Sequence, residues 1–122
     1  MKLKKVKPLF NSLVTTMDVY TQEELDSQEV IDGSIVVGNV KEYQRVVSVG
    51  ETVRSIKEGD LVMINPRRYE VRKHQDGSLK DGIIEDNVVI GYNFRTLDID
   101  GRDHLLLSDV DIDFIIEEYE GV

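Results

Sequence analysis

Residues 43–64 read YQRVVSVGETVRSIKEGDLVMI and contain the two clearest strands of the chain. Tyr43–Val49 contains three valines and a tyrosine, and a glycine ends the run. A Gly-Asp turn at positions 59–60 then precedes a second apolar run, Leu61–Ile64. Short runs rich in β-branched and aromatic residues, bounded by turns of this kind, are typical of antiparallel strands. The fold is therefore predicted to be built from short β-strands.

Further strands are predicted on both sides of this pair. A first strand is predicted over residues 9–16 and is entered through Pro8. Pro66 ends the strand over residues 61–64. Asp-Gly pairs at positions 76–77, 81–82 and 100–101 tolerate the positive φ that tight hairpin turns need. We therefore predict strands over residues 69–73, 83–92, 94–99, 104–107 and 112–118. Their number and spacing indicate an all-β fold, a small antiparallel β-barrel in which residues 1–122 form a single domain.

A long polar stretch follows the first strand. Its TQEELDSQE segment could form a weak helical turn but carries no apolar stripe, so an exposed loop is predicted here. The far end of the stretch is a compact apolar tip, made of Gly33, Ser34, Ile35, Val36 and Val37. An apolar tip on a solvated loop is a candidate partner-binding site. In the alternative interpretation, Ile35 to Val37 begin a buried strand that runs into Val40.

Composition excludes several classes of partner. The net charge of −9 would repel nucleic acid and anionic membranes, so neither is expected as a partner. The basic start has no continuous apolar run after it, and no segment approaches the length of a membrane span. The absence of cysteine excludes disulfides and fits a reducing compartment. A soluble, cytoplasmic protein is expected.

Metal-binding and catalytic patterns are weak. The spacing of acidic residues over positions 109–120 is similar to that of a calcium-binding EF-hand loop. However, Phe114 occupies the sixth position, where the sharp turn of such a loop needs glycine. His74 and His104 have no partner at the spacing of metal ligands or of a catalytic group. The sequence also lacks a Gly-rich dinucleotide fingerprint. We therefore expect a protein that is not an enzyme and that has no metal site and no cofactor.

Several short blocks resemble the GroES co-chaperonin family and occur in the order seen there: Lys5-Val6-Lys7-Pro8-Leu9, Leu13-Val14, Gly33-Ser34-Ile35-Val36-Val37, Arg45-Val46-Val47-Ser48-Val49-Gly50, Lys57-Glu58-Gly59-Asp60-Leu61-Val62 and Leu105-Leu106-Leu107-Ser108-Asp109-Val110-Asp111-Ile112. Each block alone is common in β proteins, whereas their shared order across most of the chain is more specific. The resemblance implies a GroES-like barrel that forms a ring, usually of seven subunits, and caps a chaperonin.

The resemblance also implies roles for particular residues. Residues 17–37 would be a mobile loop whose tip, Ile35 to Val37 preceded by Gly33, docks on the chaperonin when nucleotide is present. Weak contacts made by several identical loops give avidity that remains reversible. The N-terminal strand of one subunit would pair with the C-terminal strand of its neighbour, through Lys4, Lys5 and Val6 on one side and Phe114, Ile115, Ile116 and Glu117 on the other. The lysines and glutamates would otherwise be ordinary solvated termini.

One departure from the family leaves a second function open. Residues 66–103 are longer than the short roof hairpin expected there and are rich in charge. They would form an enlarged roof over the cavity, an extra hairpin, or a contact surface for another partner. This divergence fits a virus-encoded relative acting in the host cytoplasm. The alternative function is that of a virion or assembly accessory protein, which reuses the barrel to decorate a viral capsid or tail.

Overall fold

The computed structural model describes residues 1–27, 39–73 and 88–121. Strands dominate these residues, together with one short helix and two 3₁₀ turns. In chain order they are β1 (Ser12–Thr16), α1 (Gln22–Ser27), β2 (Tyr43–Val49), β3 (Leu61–Ile64), a 3₁₀ turn (Pro66–Tyr69), β4 (Glu70–Lys73), β5 (Val88–Tyr92), β6 (Thr96–Ile99), β7 (Arg102–Ser108), a 3₁₀ turn (Asp109–Asp111) and β8 (Ile112–Ile115).

Six of the strands form one antiparallel sheet in the order β6-β7-β1-β2-β3-β8. Strand β1 lies at its centre, where Leu13 is paired with Val49 of β2 on one side and with Leu107 of β7 on the other. Strands β4 and β5 pair separately as a two-stranded sheet. The prediction of a small, antiparallel, all-β fold is confirmed. Strands β6 and β8 are the two edges of the larger sheet.

The core lies on one face of the six-stranded sheet. Its buried members come from alternate positions of four strands: Leu13, Val46, Val62, Ile64, Leu105 and Leu107. Because side chains alternate between the faces of a strand, residues two positions apart on one strand point to the same face, which places these residues together. Burying an aliphatic side chain of this size contributes about 1.5–3 kcal/mol, so this cluster dominates the stability of the sheet.

Strands β2, β3, β6 and β7 follow the prediction closely, whereas β8, predicted over residues 112–118, ends at Ile115. Strands β2 and β3 have the predicted bounds, Tyr43–Val49 and Leu61–Ile64. Strands β6 and β7 form the hairpin predicted at the third Asp-Gly pair, with φ of 53° at Asp100 and 82° at Gly101. Positive φ at both central residues is the requirement of a type I′ turn, which matches the twist of the flanking strands.

The first strand is shorter than predicted because the chain turns before it. Phe10 has a positive φ of 57°, and the Ser12 amide donates to the Leu9 carbonyl at 3.1 Å. Residues 9–11 therefore form a turn, and β1 begins at Ser12. This turn lies against Gly50, where an added Cβ would come within 2.2 Å of the Phe10 carbonyl oxygen. Glycine at position 50 is thus required by a close approach of two backbone segments.

The exposed loop predicted after β1 contains a helix. Residues Gln22–Ser27 form α1, where the sequence allowed a weak helical turn but predicted an exposed loop because there is no apolar stripe. Its start is a capping box. The Glu24 amide donates to the Thr21 hydroxyl at 3.1 Å, and the Thr21 amide donates to a Glu24 carboxylate oxygen at 3.1 Å. A Thr-x-x-Glu pattern of this kind satisfies two amides that would otherwise lack partners at a helix start.

Candidate functional site

The predicted partner-binding residues, Gly33, Ser34, Ile35, Val36 and Val37, lie outside the described residues. The structure describes the two ends of the loop that carries them: residues 17–27, which follow β1, and residues 39–42, which precede β2. We call these two ends the loop base. The position of the loop base shows where on the sheet the loop is attached.

Backbone contacts join the two ends of the loop base. Val19 and Val40 form an isolated antiparallel bridge. The Tyr20 amide donates to the Asn39 carbonyl at 2.7 Å, and the Lys41 amide donates to the Asp18 carbonyl at 2.9 Å. Val40 and Met17 pack against the core cluster from this side. The chain therefore leaves the sheet after β1 and returns before β2 through one narrow, hydrogen-bonded neck.

The side chain of Gln44 hydrogen-bonds to this neck from the core side of the sheet. Its side chain is fully buried at an inward position of β2. Its Oε1 accepts from the Thr16 hydroxyl at 2.9 Å and from the Asp18 amide at 2.8 Å. Its Nε2 donates to the Asp18 carbonyl at 2.9 Å and to the Lys41 carbonyl at 2.8 Å. All the hydrogen-bonding positions of the side-chain amide are thus used, one by Thr16 at the end of β1 and three by the two ends of the loop base.

A cluster of charged and aromatic side chains covers the outside of the loop base. The Lys41 ammonium lies 5.4 Å from the centre of the Tyr20 ring and 5.7 Å from that of Tyr43. It also lies 3.6 Å from Glu24 Oε2 of α1. Tyr20 donates its hydroxyl to Glu42 at 2.8 Å. Burial, followed by the bond to this carboxylate, raises the pKa of the Tyr20 hydroxyl, so Tyr20 stays neutral.

A cavity of about 260 Å³ opens beside the loop base. Met17 and Val40 line one side of it, while Tyr92 and Phe94 line the other. Phe94 also contacts Tyr69, with ring centres 5.1 Å apart. The cavity therefore marks the place where the loop base meets the root of the two-stranded sheet.

The described part of the long region predicted over residues 66–103 contains the two-stranded sheet, and it also contains β6 and the first two residues of β7, which belong to the six-stranded sheet. Strands β4 and β5 pair from Glu70–Tyr92 to Lys73–Val88, with an irregularity after Val71. Both fall within predicted strands, those over residues 69–73 and 83–92. Val71 and Ile90 expose apolar side chains on this sheet. His74 and the chain between the two strands, residues 74–87, lie outside the described residues.

A buried carboxylate anchors the root of this sheet. Asp111 accepts hydrogen bonds from Arg68 Nε at 2.7 Å, from the Tyr69 hydroxyl at 2.7 Å and from the Ser108 amide at 2.9 Å. Burial alone would raise the pKa of Asp111, but these hydrogen bonds outweigh it and lower that pKa. Burial and the bond to Asp111 raise the pKa of Tyr69 to about 12. Asp111 is thus a structural anion, fully occupied by neighbours in its own chain.

The residues predicted for pairing between subunits lie at opposite edges of the six-stranded sheet. Near the N-terminus, Leu3 forms a parallel bridge with Ile99 of β6, and Lys4 makes an exposed ion pair with Asp100 at 3.1 Å. Near the C-terminus, Phe114 and Ile115 belong to β8, and the Ile116 amide donates to the Leu61 carbonyl at 2.8 Å. Lys5 and Glu117 are exposed, whereas Val6 is half-buried. The N-terminal segment therefore lies along one edge, and β8 is the other.

Phe114 is the most exposed apolar side chain of the β8 edge. It lies opposite Met63 of β3, which in turn lies opposite Tyr43 of β2. Residues directly opposite one another share a face of the sheet, so these three side chains form a row on the outer face. Phe114 is 52% exposed at the end of that row. Within the described ranges, the outer edge of β8 pairs with no other strand. An exposed aromatic beside such an edge is a typical feature of a protein contact.

Other classes of site find little support among the described residues. No group of three or more acidic or histidine side chains there is arranged to hold a metal ion. His104 contacts the Arg102 carbonyl through Nδ1 at 2.9 Å. The described helix is too short and too polar to cross a bilayer. No protein-family model matches this chain, and no curated protein matches it.

Proposed function

We propose that this chain is a co-chaperonin-like ring subunit. Its loop, with Ile35, Val36 and Val37 at the tip, binds a chaperonin in the presence of nucleotide, and the ring caps the folding chamber. The protein acts in the cytoplasm without catalysis, cofactor or metal. If a virus encodes it, that cytoplasm is the host's.

The loop base is the observation that carries this proposal. A loop that must present a binding tip needs a fixed attachment, because a loose attachment would spread the tip over many positions and lower its effective concentration. Here the Val19–Val40 bridge and the four hydrogen bonds of Gln44 fix both ends of the loop at one place on the sheet. The apolar tip is placed between these ends by the sequence, five residues before Val40 at Ile35.

The two sheet edges support self-association into a ring. A head-to-tail contact uses two different surfaces of each subunit, and it closes into a ring when the rotation between neighbours is suitable. The N-terminal segment lies at the β6 edge with Lys4 and Lys5 exposed. The β8 edge carries Phe114 and continues into Glu117 and Glu118. Basic and acidic segments at opposite edges provide the charge complementarity that such a contact needs.

The test is association of the purified protein with a chaperonin, with and without nucleotide. Ile35→Asp should abolish nucleotide-dependent association while the circular dichroism spectrum and the oligomeric state stay as in the wild type. Phe10→Asp is the matched control because Phe10 is an apolar side chain, 64% exposed, at the other end of β1 from the loop. Aspartate also tolerates the positive φ found at this position. The control should bind like the wild type.

Two outcomes would refute the proposal. If Ile35→Asp unfolds the subunit, the apolar tip belongs to its own core and does not dock on a partner. If the wild type ignores chaperonin and nucleotide but copurifies with viral particles, the protein is a virion or assembly accessory protein on a capsid or tail.

A further inference from the structure

We propose that Lys41 is a positioning residue whose ammonium group holds α1 against the start of β2. In this arrangement Lys41 fixes the helix from which the chain runs on to the apolar tip. Its effect on chaperonin binding rests on the function proposed above, whereas its effect on α1 does not.

Lys41 is unusual in its surroundings. Lysine side chains are mostly exposed, yet that of Lys41 is only 18% exposed. Its partners come from three segments: Tyr20 before α1, Glu24 within α1, and Tyr43 at the first position of β2. The faces of two aromatic rings and one carboxylate attract the same cation. A single charge therefore connects the helix to the sheet.

Helix α1 needs such support. It has only six residues, QEELDS, and helices shorter than about 12 residues are marginal in water. Of its side chains, Gln22 and Glu23 are exposed, while Glu24 and Leu25 are half-buried. The helix thus contributes little apolar burial, and the capping box stabilises only its first turn. Among the described side-chain contacts of α1, the ion pair between Glu24 and Lys41 joins the helix to the start of β2.

The backbone of Lys41 is fixed independently of its side chain. Its amide donates to the Asp18 carbonyl at 2.9 Å, and its carbonyl accepts from Gln44 Nε2 at 2.8 Å. Changing the side chain therefore leaves the Val19–Val40 bridge and the Gln44 contacts in place. A substitution at position 41 consequently tests the ammonium group alone.

Hydrogen exchange of the intact protein tests this role. The reporter is the Leu25 amide, which donates to the Thr21 carbonyl at 3.0 Å within α1. Lys41→Met keeps an unbranched apolar stem but removes the charge, and it should speed exchange at Leu25 about tenfold. Lys41→Arg retains the cation and should restore protection. Amides of β1 and β7 should exchange as in the wild type, which shows that the variant is folded.

Two further variants sharpen the test. Glu24→Gln keeps a side chain that serves in a capping box but removes the charge facing Lys41, so it should also speed exchange at Leu25. Lys57→Met is the matched control because Lys57 is exposed in the turn between β2 and β3. Unchanged exchange at Leu25 in Lys41→Met, or an equal change in Lys57→Met, would overturn the role of Lys41.

Chaperonin association then separates this inference from the proposed function. If the wild type binds, Lys41→Met should weaken binding about tenfold and Lys41→Arg should restore it. If the wild type does not bind but exchange at Leu25 responds to Lys41→Met, the proposed function fails and the positioning of α1 stands. If the wild type and Lys41→Met bind the chaperonin equally although exchange at Leu25 is faster in Lys41→Met, the link from Lys41 to the tip is refuted.

Discussion

Replacing Gln44 by methionine removes the polar contacts below the loop base with little change of volume. The wild-type side chain makes four hydrogen bonds, to Thr16, to both backbone groups of Asp18 and to the Lys41 carbonyl. Each contributes about 1 kcal/mol net, so together they contribute about 4 kcal/mol. Burial of the apolar methionine side chain offsets about 1–2 kcal/mol of this loss. We expect the free energy of unfolding to fall by about 2–3 kcal/mol.

Urea unfolding followed by far-ultraviolet circular dichroism measures this change, since the chain has no tryptophan to report by fluorescence. The urea concentration at the midpoint of unfolding should fall, while the dependence of the unfolding free energy on urea concentration stays constant. Val47→Met is the matched control because Val47 lies on the same strand but is exposed, and it should change stability by less than about 0.5 kcal/mol. If Gln44→Met costs no more than this control, the contacts below the loop base do not stabilise the subunit.

Gln44→Glu tests the same contacts through the direction in which stability changes with pH. The buried carboxylate would face the carbonyl oxygens of Asp18 and Lys41, which now accept from Nε2. Burial and these oxygens would raise its pKa above the unfolded value of about 4.3. A group whose folded pKa is raised contributes most stability below its unfolded pKa, and that contribution is lost as pH rises through the folded pKa. Gln44→Glu should therefore be more stable at pH 4 than at pH 7, relative to the wild type.

Three other predictions concern separate parts of the molecule. The lowered pKa of Asp111 gives stability that is present above about pH 4 and is lost as pH falls. Asp111→Asn should therefore reduce the dependence of the unfolding free energy on pH below about pH 4. An unchanged dependence on pH in that range would contradict this. Gly50→Ala should lower the melting temperature, with a cost of about 2 kcal/mol or more for the clash with the Phe10 carbonyl oxygen. Gly91→Ala, whose Cβ would meet open space, should have little effect, and equal losses would refute the close approach. Phe114→Asp should shift a ring toward smaller species in sedimentation velocity with an unchanged circular dichroism spectrum, and an intact ring would show that β8 is not the contact edge.

Much of the sheet could be predicted because its cause is local. Strands β2 and β3 follow from short runs rich in valine and other apolar residues, and the turn between β6 and β7 follows from Asp100 and Gly101. The turn before β1 was missed because nothing in the local pattern indicates the positive φ of Phe10, which accompanies its close approach to Gly50. Helix α1 does have a local signal, the Thr-x-x-Glu pattern of its capping box, but it has no apolar stripe.

The loop base could not be predicted because its contacts join residues far apart in sequence. In the sequence Gln44 is an ordinary polar residue of a predicted strand, and nothing local indicates that its partners are Thr16 and Asp18, more than 25 residues earlier. Lys41 resembles any other lysine in the sequence until Tyr20 and Tyr43 are brought to its two sides. Polar contacts of this kind depend on the completed sheet, whereas hydrophobic alternation is readable before it forms.

Gln44 and Lys41 also differ in a way that makes their effects separable. Gln44 is neutral and fully buried, so its hydrogen bonds do not respond to ionic strength. Lys41 and Glu24 are charged, and the Glu24 side chain is 44% exposed, so salt screens their attraction. Raising the ionic strength from about 0.01 M to about 1 M, where the screening length falls from about 30 Å to about 3 Å, should therefore speed exchange at Leu25 of α1 but not at the Tyr20 amide in the neck. Equal responses at the two amides would mean that the helix and the neck open as one unit, and that Lys41 has no role distinct from that of Gln44.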